Sequence, residues 1–458
     1  MSIDREARGT HGDDLASQLS DQGVEGVALT FVDTAGITRV KTVPSHRLGK
    51  AAGWGVGMSP VFDTFVSDDS ITSTDVLGSP DGDLRLVPDL HRLTVLAAQP
   101  GWAWAPVDRY TQDGELYPAC QRSFARRMVE QAAELGLTAK MAVEIEWAVS
   151  LAGEPDEFAA ACTGPAYGMT RLVELSDYAR DVLVALREQG VPVEQLHPEY
   201  SDGQYEVSVE PGDPVGAADR SVLVRQTVRA VSARHGLRVS FAPSVIAGHV
   251  GNGGHVHVSL SADGSNIFAG GDGPFGMTDR GAAFTAGVLA ELPALLGVGA
   301  PSVASYLRLV PSHWAGAYAC WGLETREAAL RFVTGSAGSE QASANLEVKA
   351  VDLAANPYLL VGCLLAAGFA GIEAGLTLPE PVQGDPGLLD DAERDTLGIA
   401  RLPQSLGEAT DAFAGSQVLR SALGDVLADA VVAVRRAEIA RFEGADPDDV
   451  AAALRWVY

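Results

Sequence analysis

Apolar and polar positions alternate with a period of two through Met141–Val149, MAVEIEWAV. As a β-strand this stretch puts Met141, Val143, Ile145, Trp147 and Val149 on one face and Glu144 and Glu146 on the other. Neighbouring carboxylates repel and are costly to bury, so a cationic group belongs in front of them unless the face is simply solvated. The anomaly recurs downstream. Tyr205, Val207 and Val209 alternate with Glu206, Ser208 and Glu210, and Glu199 precedes the turn at Gly203. In GNGGHVHVSL, His255, His257 and Ser259 share a face opposite Val256, Val258 and Leu260. In ANLEVKAV, Glu347 and Lys349 share one opposite Leu346 and Val348.

The same patterning organises the rest of the chain. Residues 1–12 read as disordered and 1–20 as a flexible N-terminus, within which Asp13–Asp21 can form a short helix. VEGVALTFVDTAGITRVKTVP reads as a hairpin turning at Asp33–Gly36. Residues 51–90, rich in Gly, Ser and Asp, show no period and suggest a long functional loop, with more strand over Leu84–Leu96. A boundary near 106–112 separates a small β-rich domain, 21–108, from a large domain, 109–458. In the latter, helices are expected at Ser123–Leu135, Asp177–Glu188, Ala218–His235, Gly281–Leu296 and Leu353–Ile372, and as one long helix at Ser416–Phe442. The apolar run Leu353–Ile372 carries Asn356-Pro357 near its start and fits a buried core helix better than a membrane span.

Composition narrows the function. The 60 acidic residues against 33 basic ones, a net charge of −27, argue against a nucleic-acid or anionic-membrane partner. Cys120, Cys162, Cys320 and Cys363 are far apart with no CxxC, which excludes a zinc cluster or disulfide framework and suits a reducing cytoplasm. The polar, acidic start carries no secretory signal.

If the acid-bearing strands share a sheet, their polar faces line one channel holding Glu144, Glu146, Glu206, His255, His257 and Glu347, with Glu199 at its edge. Carboxylates with one or two imidazoles suit hard divalent cations, Mg²⁺ or Mn²⁺, and five glutamates suit more than one ion. ETREAALRF adds Arg326 and Arg331; cations beside acid-held Mg²⁺ are the parts of phosphoryl transfer. No GxxxxGK[ST] or GxGxxG loop is present, so a nucleotide must be held in another way.

The ordered motifs VEIEW, GQYE preceded by Glu199, GGHVHVSL, RLVP, TREAALR and LEVKAVDLAANPY resemble the glutamine synthetase superfamily, from about residue 24 onward. The resemblance implies an α+β fold: a small N-terminal β-grasp domain and a large catalytic domain with a curved antiparallel sheet flanked by helices. It also implies a homo-oligomeric ring, commonly a dodecamer, whose neighbouring subunits complete each site. By the same resemblance Glu146, Glu199 and Glu206 hold one metal ion, and Glu144, His255 and Glu347 the other. His257 and Ser259 touch ATP, Arg326 and Arg331 its γ-phosphate, and Gly251, Arg308 and Lys349 the glutamate. The implied reaction phosphorylates the γ-carboxylate of glutamate from ATP and passes the acyl group to an amine.

The chain departs from that pattern on the nucleophile side. Ammonia-using members carry a Glu in the flap after RLVPG, where RLVPSHWAGAY places Trp314. Indole is neither base nor counter-ion but offers an apolar and cation–π face to an alkylamine. Val250 and Ser244 also depart from the family, Lys349 stands in place of an Arg, and GMSPVFDTF lacks the ammonium-binding Asp loop. The pattern is similar to the γ-glutamyl-amine ligases of the superfamily, which use polyamines, ethanolamine or other monoamines. A true glutamine synthetase with a rearranged ammonium site is the alternative. A silent ring-forming homologue is a remote one, since all six implied metal ligands are present.

Overall fold

The computed structural model describes residues 4–154 and 157–458. The expected hairpin forms: Gly26–Val32 and Thr38–Pro44 pair antiparallel, and Asp33 Oδ1 accepts the Ile37 N–H at 2.9 Å to close the turn. On its other edge Gly26–Val32 runs parallel to Trp102–Thr111. Leu84–Pro88, Val56–Met58 and Thr94–Val95 complete a six-stranded sheet. Its longest strand ends at Thr111, within the boundary region 106–112.

Two expectations for this region are corrected. Residues 5–20 are not a flexible tail, because Arg5–Asp21 is an α-helix capped by the Asp4 side chain; residues 1–3 lie outside the described set. No strong apolar stripe marks this helix because much of its contact is glycine on glycine. A Cβ at Gly12 would stand 2.7 Å from Gly49 Cα of the helix Leu48–Trp54. Residues 51–90 are likewise not irregular throughout. They include the end of that helix, the strand Val56–Met58 and the 3₁₀ turn Pro60–Thr64, pinned by a fully buried ion pair, Asp63 to Arg109 at 2.8 Å.

The remaining strands make two sheets. One has four strands, Leu237–Ser240, Ile145–Leu151, Gln204–Val209 and Val193–Pro198. The other has seven, in which Thr138–Val143 forms an edge beside Val256–Ala262, followed by Asn345–Val348 and Ala328–Val333. MAVEIEWAV is therefore two strands rather than one. Thr138–Val143 pairs with Val256–Ala262, Ile145–Leu151 pairs with Gln204–Val209, and Glu144 is the joint, its N–H donating to the His255 carbonyl at 2.9 Å. Pairing is antiparallel except between Tyr318–Leu323 and Ala328–Val333, which run parallel.

Helices cover the apolar side. Asp279–Gly299 and Pro357–Ala374 are long and apolar enough to cross a membrane, but 72% and 78% of their apolar windows are buried. They touch closely through Gly287 and Gly371, where an added Cβ would meet backbone at 2.7 Å or less. The single helix expected over Ser416–Phe442 is two, Gln417–Leu423 and Asp425–Arg441, broken at Gly424 with φ +80°.

Candidate active site

Cross-strand register assembles the site in two rows. In the four-stranded sheet Glu206 lies opposite Glu146 on one side and His197 on the other. In the seven-stranded sheet Glu347 lies opposite His257 on one side and Arg331 on the other. Glu144, at the joint, faces the second row.

Each row yields a compact donor set. The side-chain ligand atoms of Glu144, His257 and Glu347 lie within 4.8 Å of one another, as do those of His197, Glu199 and Glu206. A divalent ion with oxygen bonds of about 2.1 Å fits such a span, and a carboxylate-rich set with one imidazole suits Mg²⁺ or Mn²⁺. His255 stands beside the first set, Nδ1 2.8 Å from Glu144 and 3.5 Å from Glu347. The expected trio Glu144, His255 and Glu347 is thus together, and His257, expected at the nucleotide, joins it. Glu146 adjoins the second set but is engaged elsewhere, accepting the Gly253 N–H at 2.8 Å and the Gln204 amide at 3.1 Å.

Internal cations balance these acids. Burial pushes Glu347 up, yet Lys349 foremost, with His257, holds it down at about 2. Burial likewise opposes ionisation of Glu144, and hydrogen bonds from His255 and His257 hold it well below the carboxylate range. His197 is raised to about 9, chiefly by the Glu206 carboxylate 3.5 Å from its Nε2. Burial would lower His257, but the Glu144 carboxylate 3.0 Å away raises it to about 9. Glu199 and Glu206 rise with burial and with their acidic neighbours. Arg331 spans Glu347, at 3.0 Å, and Glu324. Lys349 Nζ sits 3.2 Å from Glu347.

Arg308, buried at the end of the helical turn Ser305–Arg308, donates to His255 Nε2 at 3.1 Å and to the Lys349 carbonyl at 3.0 Å. A guanidinium only donates, so Nε2 of His255 accepts and its Nδ1 carries the hydrogen shared with Glu144. The Nη1 of Arg308 is buried with no partner among the described residues. Glycines make room: a Cβ at Gly251 would meet the Pro243 carbonyl at 1.9 Å, and one at Gly253 would meet His255, Glu146 and Arg308 at 2.6 to 2.9 Å. Ser259 and His257 border a cavity of about 340 Å³ with Lys140, Glu194 and Asn345. Arg326 is exposed on the turn before Ala328–Val333, with no ion pair among the described residues.

Residues 118–450 match the family model of the glutamine synthetase catalytic domain. The chain belongs to the glutamine synthetase family. Over 446 residues it is 61% identical to the γ-glutamylpolyamine synthetase of Streptomyces coelicolor, spanning 97% of this chain and 96% of that one. It is 29% identical to the glutamine synthetase of Halobacterium salinarum over 455 residues, 95% and 96% of the two chains. A solved glutamine synthase homologue superposes with a TM-score of 0.85 at 35% identity, covering 95% of this chain and 99% of that one. GmaS in complex with ADP gives 0.81 at 28%, covering 94% and 96%. The chain is an ATP-dependent glutamate–amine ligase of this family, whose members work with ATP and divalent metal.

Against the family's ammonia-using pattern, the flap of this glutamine synthetase relative is aromatic. Trp314 is partly exposed, its ring centroid 4.9 Å from that of Tyr200, and both line a cavity of about 610 Å³ with Asp202, His249 and His313. Ser312 and Trp314 hold left-handed φ of +59° and +56°, a strained form for residues with a Cβ. Sequence reasoning missed His197 and Glu327, whose Oε1 accepts the Trp314 N–H at 2.8 Å. A signal for His197 was present: in HPE it is two residues from Glu199 and so shares its strand face.

Proposed function

We propose that the chain joins the γ-carboxylate of glutamate to an organic amine with an extended alkyl chain, a polyamine above all, at the expense of ATP. The observation that carries this reading is the aromatic cavity. At about 610 Å³, walled by Trp314 and Tyr200, it is far larger than ammonium requires. The identity to a γ-glutamylpolyamine synthetase supports the same choice.

In this reading Glu146, Glu199 and Glu206, with His197, hold one Mg²⁺ or Mn²⁺, and Glu144, His255 and Glu347, with His257, hold another. Bound there, the cations neutralise phosphate and carboxylate oxygens that otherwise repel. Ser259 and His257 face the nucleotide, and Arg326, free of ion pairs among the described residues, reaches the γ-phosphate with Arg331. The unpartnered Nη1 of Arg308 takes the glutamate α-carboxylate, with Gly251 and Gly253 giving the substrate space and Lys349 on the same side. Domains divide near 108, into 21–108 and 109–458. We propose a homo-oligomeric ring, a dodecamer, in which residues 51–75 close a neighbour's site; exposed Trp54 and Ile71 support such a contact. Four buried, unpaired cysteines suit a cytoplasmic enzyme.

The test is phosphate release from ATP and glutamate, screened across ammonium, ethanolamine, putrescine, spermine and simple alkylamines, with the product weighed by mass spectrometry. Fastest turnover with a di- or polyamine supports the reading. Glutamine as the main product, or no turnover with any acceptor, overturns it.

A further inference from the structure

Resting on that reading, the structure leaves one step unassigned: an alkylammonium must lose a proton before it can attack, and Trp314 cannot take it. We propose that Glu327 is the proton acceptor for the attacking amine, a catalytic carboxylate supplied by the strand turn behind the flap rather than by the flap itself.

Three observations place it. Its Oε1 lies 2.8 Å from the backbone nitrogen of Trp314, a residue lining the acceptor cavity. The flap crosses directly above the floor of the site, since a Cβ at Gly316 would stand 3.2 Å from that of Lys349. Glu327 therefore sits where the amine cavity meets the Arg308, Lys349 and Glu347 floor. It is also uncommitted: among the described residues it makes no ion pair, whereas Asp202, the carboxylate lining the cavity, is held by Arg171 at 2.9 Å. Burial raises its affinity for a proton, as a general base requires; the Trp314 N–H opposes the effect, Asp385 adds to it, and Lys349 and His313 oppose it.

The step balances simply. The carboxylate of Glu327 takes one proton from R–NH₃⁺, giving R–NH₂ and the carboxylic acid. The freed nitrogen lone pair attacks the γ-acyl carbon, the bond from that carbon to the phosphate oxygen breaks, and the phosphate leaves with its electron pair. The second N–H proton departs as the amide forms and is taken by the released phosphate.

E327Q tests this, because the Gln carbonyl oxygen can still accept the Trp314 N–H while losing the base. Hydroxylamine is the control acceptor, being a free base at neutral pH that needs no deprotonation. E327Q is expected to lower turnover with putrescine by about 100-fold or more relative to turnover with hydroxylamine. Its putrescine rate should also climb with pH as free amine accumulates. An equal fall for both acceptors assigns Glu327 a merely structural role and overturns the proposal. A second measurement needs no variant: in the wild-type enzyme, kcat/KM for putrescine should show an acid-side break that is absent with hydroxylamine, and superimposable profiles overturn the proposal. Wild-type protein inactive with every organic amine would instead refute the polyamine reading and leave Glu327 without a role.

Discussion

His197 and Glu206 face each other across an antiparallel ladder, with Nε2 of the histidine 3.5 Å from Oε1 of the glutamate. Glu199, two residues after His197, closes the set. The histidine gives the carboxylates of this row a positive neighbour and, in the proposed reading, would become a ligand for the cation that replaces its proton.

His197→Ala is therefore expected to weaken Mn²⁺ binding at one of two sites by about 10- to 100-fold, roughly 1.4 to 2.7 kcal/mol, while the other site titrates normally. Calorimetric titration of the purified protein with Mn²⁺ reads this directly. Two unaltered sites would remove His197 from the ligand set.

Gly253 tests the close packing of the substrate side. The Cβ of Gly253→Ala would press on His255, Glu146 and Arg308 at 2.6 to 2.9 Å. Overpacking of this kind costs about 1–3 kcal/mol of stability, so the melting temperature should fall by a few degrees. Activity should suffer more, with kcat/KM for glutamate down by at least about 100-fold, or roughly 2.7 kcal/mol. Unchanged glutamate kinetics would show that this glycine faces no substrate.

Acceptor choice should follow Trp314. Its indole and the Tyr200 ring can cover an alkyl chain, worth about 25 cal/mol per Å² of apolar area removed from water. We expect kcat/KM for the best organic amine to exceed that for ammonium by at least about tenfold, some 1.4 kcal/mol. Trp314→Glu should shift the preference back toward ammonium, measured as the ratio of glutamine to γ-glutamyl amide in mixed-acceptor assays. A variant with the wild-type ratio would sink the assignment.

Asp33 makes a pH prediction far from the chemistry. Fully buried, it is pushed by desolvation from 3.8 up to about 6, despite Arg39 at 2.6 Å. A folded-state value above the unfolded one means the native state holds the proton more tightly. Its contribution is complete below about pH 4 and is lost as pH rises through about 6, on the order of 3 kcal/mol. Asp33→Asn keeps the acceptor for Ile37 and cannot ionise. Denaturant melts should show the variant gaining stability on the wild type between pH 4.5 and 7.5; a constant difference would contradict the shift.

Most of the helices and the polar strand faces were legible because periodicity is local. Glu144, Glu146, Glu206, His255, His257 and Glu347 reach one channel because alternation with a period of two leaves them no other face once Met141, Val143, Ile145 and Trp147 are buried. Glycine contacts hid the first helix, since Gly12 against Gly49 leaves little apolar stripe to read.

By itself the sequence determined which side chains point away from the core, the excess of carboxylates over cations, and the aromatic flap at Trp314. Tertiary structure decided which of them meet. It broke MAVEIEWAV at Glu144 to join two sheets, set His197 opposite Glu206, moved His257 into the set with Glu144 and Glu347, and brought Glu327 under the Trp314 backbone. Strand register and flap path depend on pairing between segments far apart in the chain, and nothing in the local alternation of either partner encodes the offset between them.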